Sequence, residues 1–128
     1  MNEPVFVLFG AVMHAHVRQI EIHGGVHGVR DEGLLDSALA RPKNLFVYEN
    51  PTIPEMAAAY TFGTVKNHPF IDGNKRVGFI AGVLFLRVNG FPFRCSEPEV
   101  VITILRLAAG EIGEEELAAW FTEHSHPR

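Results

Sequence analysis

The sequence predicts an all-α fold, a compact bundle of about six helices around a central buried helix. Three observations lead there. Apolar residues recur at helical spacing in successive segments bounded by glycine, proline or capping residues. The one strand-like stretch, Phe91–Arg94, contains Pro92, which cannot donate to a sheet ladder. A chain of 128 residues with 47% hydrophobic content supplies one core and little more, so residues 1–128 are expected to form a single domain.

The elements follow in chain order. Val5–Phe9 is a short apolar stretch with no positive cluster before it, so it reads as the lead-in to a helix rather than a secretory signal. The first helix is expected over Gly10–His23, stopped by Gly24 and Gly25. The second opens at Asp31, a good N-cap, with Glu32 in its first turn, and is expected to end at Arg41 ahead of Pro42. Leu34, Leu35, Ala38 and Leu39 make its apolar face. The third starts near Pro54 and runs to about Lys66. The fourth spans about Asn74–Asn89 with Gly90 as its stop; it is apolar on nearly every face and is expected to be the central helix. Ser96 and Glu99 have capping-box spacing and open a fifth, ending near Gly110. Glu114–Glu116 begin a sixth that carries Leu117, Trp120 and Phe121 as core contacts.

Eleven Lys and Arg against fifteen Asp and Glu leave a net charge of −4. This argues against a protein whose main task is holding nucleic acid, which needs a basic surface. The longest apolar run, Val77–Leu86, is closed by Arg76 and Arg87, whereas a membrane span needs about twenty such residues. Cys95 is the only cysteine, which excludes an intrachain disulfide and a metal site of clustered cysteines. A cytoplasmic location is therefore expected. With only Arg94 beside it in sequence, Cys95 reads as an inert thiol. His23 and His27 have i, i+4 ligand spacing, but Gly24, Gly25 and Gly28 argue against a helix there. His16 reads as a structural hydrogen-bonding residue, and His124 and His126 as part of a fraying tail.

One segment stands apart. His68-Pro69-Phe70-Ile71-Asp72-Gly73-Asn74-Lys75-Arg76 places an imidazole, a carboxylate, an amide and two cations between two apolar helices. Taken singly, His68 reads as a capping residue, Asp72-Gly73-Asn74 as a turn and Lys75-Arg76 as a solvated face. Together they fit phosphate chemistry. The first N–H groups of a helix lack internal partners and point outward at its positive end. Lys75 and Arg76 are unfavourable there for helix stability alone, and an anionic ligand resolves that conflict. Asp72 is a hard oxygen ligand suited to Mg²⁺ bridging phosphates, and His68 suits a general base for an attacking hydroxyl.

The same nine residues resemble the loop signature of the Fic/Doc superfamily, of the form His-x-Phe-x-Asp/Glu-Gly/Ala-Asn-Gly/Lys-Arg. Gly28–Pro42, with His16, Arg18, Gln19 and the Gly24-Gly25 pair ahead of it, resembles the N-terminal signature of the death-on-curing (Doc) branch. Asn44-Leu45-Phe46 and Lys66-Asn67 match that branch as well, so the resemblance spans nearly the whole chain.

The resemblance implies an ATP-dependent transferase with Mg²⁺. By it, His68 is the base, Asp72 the Mg²⁺ ligand, and Gly73, Asn74, Lys75 and Arg76 the phosphate cradle, with Phe70 as buried anchor and Lys66 as a further phosphate contact. Fic proteins with glycine at the Lys75 position typically transfer AMP, while the Doc branch carries lysine and transfers the γ-phosphate. AMP-transferring members usually have a second arginine where this chain has Phe79, which favours the Doc reading. Pro69 and Gly73 look more like the wider Fic pattern, so AMP transfer stays open as an alternative, as does a silent docking module. The resemblance further implies a toxin of a type II toxin–antitoxin pair. Its acceptor would be a threonine of elongation factor Tu. No inhibitory Ser/Thr-x-x-x-Glu-Gly/Asn pattern occurs in the chain, so restraint is expected from a separate antitoxin of the Phd type.

Overall fold

The computed structural model describes residues 3–127, and among them the chain forms six helices. They are α1 (Phe9–His23), α2 (Glu32–Tyr48), α3 (Ile53–Asn67), α4 (Asn74–Val88), α5 (Glu97–Ala108) and α6 (Glu114–His124). The fold is all-α. The strand-like stretch contributes only an isolated bridge, Phe93 to Ser125.

The central helix is α3, not α4. Ten residues of α3 are buried against seven of α4, and α3 packs on α2, α4 and α6. The reason lies in side-chain size. Ala57, Ala58, Ala59 and Gly63 let neighbours approach α3 closely, whereas α4 leaves Lys75, Arg76, Arg87 and Val88 in solvent. The α3–α4 contact is tightest at Gly82, where a Cβ would overlap Thr61 Oγ1 and lie 3.1 Å from the Ala57 carbonyl. Thr61 spends that hydroxyl on the Gly78 carbonyl at 2.8 Å, which settles a buried polar group.

Side-chain caps set the starts of α2, α3 and α5. Asp31 accepts the Leu34 N–H at 3.0 Å, and Thr52 forms a full capping box with Glu55 just ahead of Pro54. Ser96 caps the Glu99 N–H, but the Glu99 carboxylate turns to Trp120 instead of closing the box. Against expectation, α2 continues past Pro42 to Tyr48. The proline costs the bond its missing N–H would make, yet its ring is buried and Leu39 and Phe46 pack on the core on either side of it. Arg41 then ion-pairs with Glu114 and lies over the Phe62 ring, tying α2 to α6. His124 also departs from expectation: it closes α6 as a hydrogen-bonded residue rather than fraying.

The segment before α1 is extended and pinned. Asn89 accepts the Val5 N–H at 2.8 Å and donates to the Val5 carbonyl at 2.9 Å, while Tyr60 Oη accepts from Val7 N–H. Phe6 packs on Phe46 and Phe85 beneath it. Among the described residues, no helix is long and apolar enough to cross a membrane.

Candidate active site

The loop between α3 and α4 is held in place from behind. His68 ends α3 in the left-handed region at φ 52°, the only residue other than glycine with positive φ among those described. That conformation turns the chain sharply, and Gly73, at φ 83°, makes the second turn into α4. Between them Phe70 is fully buried and stacks on the His16 ring, with centroids 4.2 Å apart and planes 13° from parallel. Phe70 is thus the buried anchor that the resemblance implied.

Residues 28–31 back the loop as a short antiparallel partner. The N–H groups of Arg30 and Asp31 both donate to the Pro69 carbonyl, Ile71 N–H donates to the Gly28 carbonyl, and Val29 bridges Phe70. The Arg30 guanidinium then donates to the carbonyls of His68, at 2.7 Å, and Asn67, at 3.0 Å. The Gly28–Pro42 signature is therefore, at its start, the support of the loop signature.

Asn74 lies at the cleft in front of the loop, and its side chain holds the loop from within. Its side chain is buried, with Oδ1 accepting from Phe70 N–H and Nδ2 donating to the Phe70 carbonyl, both at 2.9 Å. Both polar ends are thereby engaged in holding the loop.

His16 completes the back wall. It is 1% exposed, and its Nε2 accepts the Gly28 N–H at 3.1 Å, so the proton of the neutral ring sits on Nδ1. Burial lowers its pKa below the usual histidine value, with His27 adding to the effect and Asp72 opposing it. The folded state therefore favours the neutral ring, and its contribution to stability is complete above the ordinary histidine pKa and lost as pH falls through the lowered one. We expect the melting temperature to drop on acidification from pH 7.5 to 5, with a His16→Asn variant showing a smaller drop over that window. Equal pH dependence in the two proteins would remove His16 from the loop's support.

In front of the loop lies a cleft of about 440 Å³. His68, Asp72, Gly73, Lys75 and Arg76 line one side, with the first turn of α4 at its floor. Together with Asn74, these five expected catalytic and phosphate-binding positions thus gather around a helix N-terminus. Lys66 does not join them: it is exposed near the end of α3, and its ammonium lies toward Gly110, beyond α5. Asp72 Oδ2 accepts the Val26 N–H at 2.7 Å, which orients the carboxylate. Gly25 packs so closely on Asp72 that a Cβ there would lie 3.3 Å from Oδ2.

The opposite wall of the cleft is apolar, formed by Phe79 of α4 and by Val101 and Leu105 of α5, the last two about half exposed. The sequence left the α5 part of this wall and the clamping role of Arg30 undetected. The one signal for the wall was the surplus of apolar residues on α5 beyond what one buried face needs.

A single exposed carboxylate beside a helix N-terminus fits Mg²⁺, which is usually held by one or two carboxylates together with substrate phosphates. Asp72, exposed on the cleft, is the residue that would supply that carboxylate.

A family model described as Fic/DOC family matches residues 9–86, which takes in both the loop and the segment that backs it. The chain belongs to the Fic/DOC family. Among its relatives, "Protein kinase doc" of Escherichia phage P1 is 34% identical over 104 residues, covering 80% of this chain and 82% of that protein. "Toxin Doc" of Mycolicibacterium smegmatis is 44% identical over 69 residues, covering 52% of this chain and 53% of its own. The relatives place this family member on its Doc side.

Proposed function

We propose that the chain is a Doc-type toxin, acting as one domain in the cytoplasm, that moves the γ-phosphate of ATP to a protein hydroxyl. The observation that supports this best is the cleft, where an imidazole, an oriented carboxylate and two cations face one helix N-terminus. Its similarity to a relative named a protein kinase supports the same reading.

The chemistry follows from the residues. The main-chain N–H groups at the start of α4 and the cations of Lys75 and Arg76 bind the phosphates. Mg²⁺ held by Asp72 would offset phosphate charge. The acceptor hydroxyl attacks the γ-phosphorus, His68 takes its proton, and ADP leaves with the electrons of the broken P–O bond. The apolar wall at Phe79, Val101 and Leu105 covers the rest of the nucleotide and keeps water out. Phe79 stands where AMP-transferring relatives usually carry a second arginine, which leaves that side of the cleft without a cation and favours γ-transfer.

The acceptor we propose is a threonine of elongation factor Tu, whose modification would arrest translation, and the restraint a Phd-like antitoxin. Incubating purified elongation factor Tu with this protein and Mg²⁺–ATP tests the acceptor. A mass gain of one phosphoryl group on a threonine is expected; unmodified factor alongside labelled proteins in a lysate would replace the acceptor but leave the chemistry.

Lys75 should tune the reaction. A charge-assisted hydrogen bond to phosphate contributes about 1.5–3 kcal/mol, so Lys75→Gly should slow γ-transfer by roughly ten- to a hundredfold. An unchanged rate would take Lys75 out of the site.

A further inference from the structure

A second cluster of chemically able side chains lies apart from the loop. Cys95 sits in the connection between α4 and α5, Glu99 in the first turn of α5, and His124 at the end of α6. One ligand atom from each lies within 4.8 Å of the others. Three separate contacts bring these elements together. The Arg94 N–H donates to the His124 carbonyl at 2.8 Å, the Trp120 indole N–H donates to Glu99 Oε2 at 2.9 Å, and Ser96 caps α5 through the Glu99 N–H.

The His124 ring is oriented from behind. Its Nδ1 lies 2.9 Å from the Trp120 carbonyl, which can only accept, so Nδ1 carries a hydrogen. Its Nε2 then faces Glu99 Oε2 at 3.1 Å. In a neutral ring that nitrogen bears a lone pair directed at a carboxylate, with the Cys95 sulfur beside both. The arrangement calls for a cation, either a proton on Nε2 or a metal ion among the three groups. A histidine whose other nitrogen donates to a main-chain carbonyl is the usual form of a metal-binding imidazole.

We propose that Cys95, Glu99 and His124 form a Zn²⁺ site. A sulfur, a nitrogen and a carboxylate oxygen are the ligand types zinc takes, whereas Mg²⁺ and Ca²⁺ take oxygen. Tetrahedral zinc at its ordinary bond lengths sets such ligand atoms roughly 3.3–3.8 Å apart. The Glu99–His124 pair already stands at 3.1 Å, and a small inward turn of the Cys95 side chain closes the set. On binding, the S–H bond breaks, a sulfur–zinc bond forms and the thiol proton leaves to solvent. The Glu99 side is half exposed, so a water completes the fourth position. The ion would staple the α4–α5 connection and α5 to the end of α6. Through α5 it would also fix the wall that Val101 and Leu105 give the cleft.

Cobalt titration of the purified metal-free chain tests this, because Trp120 is the only tryptophan and contacts Glu99. We expect one Co²⁺ per chain, a thiolate-to-cobalt charge-transfer band, quenching of tryptophan fluorescence in step with it, and reversal of both by Zn²⁺. Cys95→Ser should abolish the band and weaken Zn²⁺ binding at least tenfold, while the metal-free melting temperature stays near that of the parent. His124→Gln should weaken binding similarly; if it does not fold, the Cys95 variant decides alone. No thiolate band in the parent, or Zn²⁺ binding undiminished in Cys95→Ser, would overturn the proposal.

Discussion

Replacing His68 with alanine is expected to lower phosphate transfer by about 10²–10⁴-fold, the usual contribution of a positioned general base. The imidazole is exposed in the cleft, so its removal should leave the core untouched. The native histidine already bears the Cβ strain of φ 52°, so alanine adds little to it. His68→Asn gives a second test, because asparagine tolerates the left-handed region and still removes the base. Both variants should lose activity alike and melt close to the parent. Full activity in the asparagine form would exclude His68 as the base.

The largest loss of stability at the site is expected from Asn74→Ala. The side chain makes two buried hydrogen bonds to Phe70, and truncation leaves that residue's N–H and carbonyl without partners. Each lost bond and stranded group costs about 1–3 kcal/mol, so roughly 2–6 kcal/mol should disappear in a urea titration. Transfer should fall with it, since the floor of the cleft depends on the same loop. Asn74→Asp keeps the acceptor for Phe70 N–H but sets a carboxylate against the Phe70 carbonyl, and should be no better. A loss below about 0.5 kcal/mol would show that the loop holds its shape by other means.

Much of the site was legible because its chemistry is contiguous. Nine residues carry the imidazole, carboxylate and cations, and helix physics points to Gly73–Arg76 as a place suited to an anion. What stayed hidden depends on contacts across the chain. Arg30 clamps carbonyls almost forty residues away, and Val26 orients Asp72 from the loop after α1. Neither spacing nor periodicity carries such information. The hold of Asn74 on Phe70 was not legible, because an amide near phosphates and an amide holding a main chain look the same in sequence. Helix identity was read from local pattern, and local pattern fails where packing outweighs it. Pro42 interrupts the α2 pattern, yet the core on either side carries the helix through. The small residues of α3 weaken its apolar appearance while making it the helix that others pack around.

The position of the label decides the account most directly. The protein is incubated with lysate and Mg²⁺, once with ATP labelled at the γ-phosphate and once with ATP labelled at the α-phosphate, beside the His68→Asn variant. The cleft built from His68, Asp72, Lys75 and Arg76 predicts protein-bound label from γ-labelled ATP alone, absent with the variant. Protein-bound label from α-labelled ATP, or γ-label that persists without His68, would contradict it.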